Sequence, residues 1–159
     1  MATPVVTWYS HASASDSSGT LITTLNFATV DAGSWSSAKC IHAHLSASST
    51  TTVSSVRFFL YDQTSKLTSQ NITLKDGAKA WSFVGTHQAA LSSKNFGLCS
   101  ADYGSPMPYF PNTSVGGGFT LPTVTTPGNT HYVWMGAKPN VSASSGAYTS
   151  WGFQLAYDY

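Results

Sequence analysis

The last nine residues, Trp151-Gly152-Phe153-Gln154-Leu155-Ala156-Tyr157-Asp158-Tyr159, decide the fold class. Every odd position from 151 to 159 carries an aromatic ring or a leucine, and every even position a small or polar side chain. A strand turns successive side chains to opposite faces, so this order gives one apolar row and one polar row. A helix would scatter the same residues around its circumference. The spacing therefore predicts a strand half-buried in a core.

Two further segments support the same reading. In 38–47, Ile41, Ala43 and Leu45 fall on one face and Cys40, His42 and His44 on the other. In 53–61, Val56, Phe58 and Leu60 oppose Arg57, Phe59 and Tyr61, which makes that strand apolar on nearly both sides and places it centrally or at an interface. The remaining candidates are 5–10, 20–30, 71–75, 80–86, 96–100, 118–125, 130–137 and 148–157, separated by clusters of Gly, Pro, Asn, Asp and Ser. One helical turn is expected near His87-Gln88-Ala89-Ala90-Leu91 and no long helix anywhere. Short strands spaced near ten residues apart, without a fixed repeat, predict an all-β antiparallel sandwich or jelly roll. A chain of 159 residues is expected to form it as a single domain over 1–159.

Composition agrees. There is no glutamate, and only 8% of residues are charged, whereas soluble domains carry about a quarter. Serine (25) and threonine (20) fill the exposed positions instead, and both disfavour helix interiors. The seven basic residues, Lys39, Arg57, Lys66, Lys75, Lys79, Lys94 and Lys138, are scattered and the net charge is +1, so the basic footprint of a nucleic-acid binder is missing. No apolar run approaches the roughly 20 residues of a membrane helix. The start lacks the basic and apolar regions of a secretory signal, and the expectation is a protein made in the cytoplasm, with no nucleic-acid or membrane partner. Cys40 and Cys99 are expected to be reduced and buried.

Little catalytic chemistry is written here. The acidic residues are six aspartates, most of them beside turns (Asp31-Ala32-Gly33, Asp76-Gly77, Asp102-Tyr103-Gly104), where Asp binds its own backbone. No nucleophile elbow, phosphate loop or nucleotide fingerprint occurs. His42 and His44 point the same way, about 6.6 Å apart, and would need further ligands from His11, His87, His131 or an aspartate to close a zinc site of four. No catalytic residue, metal or cofactor is therefore expected. Between Cys99 and Leu121 three prolines set off Tyr103, Tyr109 and Phe110 in a long loop. Loops of that length usually have a function. With Trp35 in the turn 33–37, these three are the candidate contact residues.

The stretch Leu25-Asn26-Phe27-Ala28-Thr29-Val30-Asp31-Ala32-Gly33-Ser34-Trp35-Ser36-Ser37-Ala38-Lys39-Cys40-Ile41 resembles the pattern L-x-F-G-x-V-x-x-G-x-x-S-x-x-K-x-I of virion-associated β-sandwich proteins of tailed bacteriophages. Ala28 departs from its glycine. The strand 53–60 and the aromatic C-terminus are similar to those of such proteins. The resemblance covers about a third of the chain and implies no catalytic residue. It implies a structural virion protein, a head decoration or cement subunit or else a tail or baseplate component, bound to other virion proteins. A homo-oligomer, a trimer if it sits on capsid three-folds, fits this role and the low surface charge. The alternative from another class is a carbohydrate-binding module using Trp35 and the Tyr109-Phe110 loop.

Overall fold

The computed structural model describes residues 3–62, 73–76, 79–100, 102–106, 109–110, 119–143 and 151–159. Thirteen strands are present among them: β1 (Val5–His11), β2 (Thr20–Ile22), β3 (Lys39–Ser46), β4 (Thr52–Asp62), β5 (Thr73–Asp76), β6 (Lys79–Gln88), β7 (Ser105–Pro106), β8 (Tyr109–Phe110), β9 (Phe119–Thr120), β10 (Val124–Thr125), β11 (Gly128–Asn129), β12 (Tyr132–Pro139) and β13 (Trp151–Asp158). They form a sandwich of two sheets. The larger has eight strands in the order β2-β1-β3-β12-β6-β5, with β11 also on β3 and β7 on β6. The smaller has five, β10-β4-β13 with β8 and β9 also on β4. All pairings are antiparallel except that of β8 with β4.

The alternation seen in the sequence is what closes the sandwich. Ile41, Ala43 and Leu45 of β3 and Val133, Met135 and Ala137 of β12 face Val53, Val56, Phe58 and Leu60 of β4 and Leu155 of β13 in one apolar cluster. Trp8 of β1 crosses between the layers, edge-on to Phe153 at 4.9 Å and to Phe58 at 5.8 Å. Inward residues of β4 change parity between Val53 and Val56. The cause is a bulge, with Ser55 at φ +50° and the β13 register shifting between Ala156↔Arg57 and Asp158↔Ser54. Phe59 is buried on the opposite face of β4, so this strand is covered on both sides as its composition implies.

Three expectations are corrected. The predicted strand 20–30 stops at Ile22, and farther along Asn26 Oδ1 accepts the Ala28 N–H at 2.7 Å with Ala28 at φ +60°, an Asx turn in place of extended pairing. The helical turn expected at 87–91 falls later: β6 runs to Gln88, and a single 3-10 turn occupies Ser93–Phe96. In 96–100 only the isolated bridge Ser37↔Leu98 survives of the predicted strand. The C-terminal strand pairs with β4 from Trp151↔Asp62 onward, and residues 148–150 of its predicted span lie outside the described residues.

Candidate functional site

The chemistry-bearing side chains gather on the outer face of the larger sheet. Register places them in rows. Tyr9 of β1 is the direct neighbour of His42 on β3, and one row along, His11 is the neighbour of Cys40, which in turn faces Trp134 of β12. Tyr132 completes the first row, its ring 5.4 Å from that of His42. Half of this face is roofed: Ala38, Cys40, Cys99 and Trp134 form a second cluster packed by Trp35, Leu91, Phe96, Tyr103 and Tyr132. Two thiols sit in that cluster, both free. Burial pushes the Cys40 thiol far up and the Cys99 thiol to about 11, so neither is a ready nucleophile.

Beside the roof lies a network of imidazoles. His11 and His42 are both buried, at 6% and 4% exposure. His11 Nδ1 lies 2.5 Å from the backbone oxygen of Asp16, and His11 Nε2 lies 2.7 Å from His42 Nδ1. The tautomers follow for neutral rings. A carbonyl only accepts, so His11 carries its proton on Nδ1, its Nε2 accepts, and His42 donates from Nδ1. Tyr9 stacks on His42 at 5.2 Å and 12°, and Tyr132 stands edge-on to both imidazoles. Burial, then the positive charge that His11 and His44 can carry, pushes His42 down to about 4.

The loop after β1 is fastened to the same pair. The Asp16 carboxylate accepts the backbone N–H groups of Ala12 at 3.0 Å and Gly19 at 3.1 Å, which holds its pKa below the usual value. Gly19 has φ +70°, and a β-carbon there would stand 2.8 Å from His11 Cε1. Only glycine lets the loop close over that ring. His44 donates from Nδ1 to Asn129 Oδ1 at 2.7 Å. At the opposite, inner face, His87 and His131 meet Nδ1 to Nδ1 at 3.1 Å, and burial followed by His131 lowers the His87 pKa. Among the described residues no group of three His, Cys, Asp or Glu converges on a metal position. His11 does reach His42 as a third ligand would, but the two rings bond to each other.

The candidate contact residues are divided by the fold. Trp35 and Tyr103 both pack into the roof: Lys138 Nζ lies 5.6 Å over the Trp35 ring, and Tyr103 donates its hydroxyl to the Asn95 carbonyl. Tyr109 and Phe110 are β8, beside Leu60 and Tyr61 on the other sheet, while 107–108 and 111–118 of the same loop lie outside the described residues. The spacing names His11 only as a possible further zinc ligand, and Tyr9, Asp16 and Tyr132 not at all, because the network requires the β1–β3–β12 pairing. The one legible hint was that Tyr9 and His11, like His42 and His44, stand two apart. Compared with known families, with curated proteins and with solved structures, the chain finds no match in any of the three.

Proposed function

We propose that this chain is a structural virion protein of a tailed phage, a decoration or cement subunit that stabilises the head lattice through protein–protein contacts and works as a homo-oligomer. The observation that carries the reading is a body with very little charge that leaves large apolar side chains in solvent: Leu98 is 73% and Val141 80% exposed, with Val5 and Leu21 also exposed. Apolar groups in so neutral a surface suit contact with neighbouring subunits. The sequence resemblance points the same way, and the described imidazoles bond to one another or to neighbouring oxygens instead of flanking a nucleophile. The test is quantitative mass spectrometry of gradient-purified virions from a culture that encodes the chain. A fixed copy number per particle supports the role. Recovery only in the soluble lysate overturns it.

A second reading, a carbohydrate-binding module used in host attachment, draws on the uncharged row of Tyr9, His42 and Tyr132 with His44 and Asn129 alongside. Calorimetry with neutral oligosaccharides, comparing the protein with a Tyr9→Ala, Tyr132→Ala variant, separates the two. Heat lost in the variant favours the module.

A further inference from the structure

We propose that the His11–His42 pair is an acid-released latch, which ties the loop 12–19 and strand β1 to β3 while one proton lies between the two facing nitrogens and opens when each nitrogen carries its own. The argument starts from proton counting. In the neutral pair the proton between His11 Nε2 and His42 Nδ1 belongs to His42. One added proton leaves the bond intact. If His11 takes it, His11 donates both to the Asp16 carbonyl and to His42, whose remaining proton moves to Nε2; if His42 takes it, His42 still donates from Nδ1. The second added proton is different. Two N–H groups then point at each other across 2.7 Å with two positive charges behind them, and the bond becomes a repulsion. Interacting imidazoles therefore titrate as a pair in two steps, and the structural change belongs to the lower one.

Among the described residues, the charged group that faces the pair and can relieve that repulsion is Asp16. The groups facing the pair are Tyr9 and His11 from β1, Cys40 and His44 from β3, Tyr132 from β12 and Asp16 from the loop. The raised Cys40 thiol stays neutral in acid, and the charge of His44 works against a proton on His42. His42, pushed down to about 4 from an ordinary 6.5, marks where the second proton enters. The sign of the linkage is fixed by that depression. The unfolded or opened chain binds the proton more readily, so the latch contributes in full above about 6.5 and its contribution is lost as pH falls through about 4. Opening removes the His11 anchor of the Asp16 carbonyl, and with it the closed loop whose Ala12 and Gly19 amides the carboxylate holds.

The experiment uses the full chain and amide hydrogen exchange across an acid series. Protection at Ala12 and Gly19 should fall about ten-fold or more as pH drops from about 6.5 to about 4, while Phe58 and Leu60 in β4 stay protected, because loops open locally below the global unfolding free energy. His42→Asn keeps an N–H donor near the Nδ1 position but cannot titrate, and it should hold the loop closed to lower pH. Equal loss in the variant and the natural chain overturns the latch and assigns the opening to protonation of Asp16. Simultaneous loss in β4 also overturns it, as global unfolding. If His42→Asn does not fold, side-chain nitrogen NMR of the natural chain decides: both imidazoles doubly protonated with Ala12 and Gly19 still protected would exclude the mechanism.

Discussion

Ala28 is where the sequence pattern and the backbone meet. Its φ of +60° lies in the left-handed region, which costs an L-residue roughly 1–2 kcal/mol, and the phage-type pattern carries glycine at this position. Glycine would remove that strain and give back about 0.5–1 kcal/mol in unfolded-chain entropy. Ala28→Gly should therefore stabilise the protein by up to about 1 kcal/mol, read as a raised urea midpoint with an unchanged slope. A lower midpoint would show that the conformation carries no strain. Gly136 gives the opposite case. It lies under Cys99, and a β-carbon there would stand 2.5 Å from Cys99 Cβ and closer still to Sγ. Gly136→Ala should cost about 1–3 kcal/mol through overpacking. Adding Cys99→Ala removes the sulfur but not the β-carbon contact, so the double variant should be less destabilised than the sum of the two singles, and strict additivity would argue against the contact. Gly136 does not announce itself in the sequence, because its close approach is to Cys99, far along the chain.

At the scale of elements, legibility followed burial. The strands β3, β4 and β13 were readable because each packs an apolar row into the core, and their alternation survives as the observed inward set. The segment 20–30 misled because Leu25 and Phe27 stand two apart like a strand row, while Leu25 and Val30 are partly buried against the core and Phe27 is 9% exposed from irregular backbone. Burial alone does not make a strand. The C-terminal strand should be indispensable. Phe153, Leu155 and Tyr157 pack against the core, and the Tyr157 hydroxyl donates to the Pro4 carbonyl at 3.0 Å while Tyr159 bonds Thr3, so the two ends of the chain fasten each other. Deleting 151–159 strips β4 of the partner that follows it along most of its length. The loss should exceed about 3 kcal/mol, since truncating one core Phe or Trp to Ala already costs about 3–5. Thermal unfolding followed by circular dichroism checks this, and an unchanged midpoint would place the strand outside the cooperative unit.

For the whole molecule, the sheet order decides which imidazoles meet, since the sequence offers His11, His42, His44, His87 and His131 without pairing them. His11 and His42 are 31 residues apart, and His87 and His131 are 44 apart; only the antiparallel pairing of β1 with β3 and β6 with β12 turns each couple into neighbours. Topology is what local pattern does not contain. The same scale governs association. With seven basic and six acidic residues, the molecule has few charges to keep copies apart, and dispersed charge is the usual source of colloidal repulsion. It leaves Val5, Leu21, Leu98 and Val141 in water. Contacts made by such groups differ from contacts made by ion pairs in their response to salt. Salt screens exposed charges, most completely beyond a Debye length of roughly 8–10 Å at moderate ionic strength, whereas excluded salts such as sulfate strengthen apolar burial. Sedimentation equilibrium across a wide protein concentration range should therefore reveal a homo-oligomer whose dissociation constant is unchanged by sodium chloride and lowered by sodium sulfate. Replacing Leu98 and Val141 by serine should shift the same equilibrium toward the monomer without altering the β-type spectrum. A species that stays monomeric under all of these conditions would remove self-assembly from the proposed role, and an oligomer that dissociates as sodium chloride rises would assign its contacts to the few charges instead.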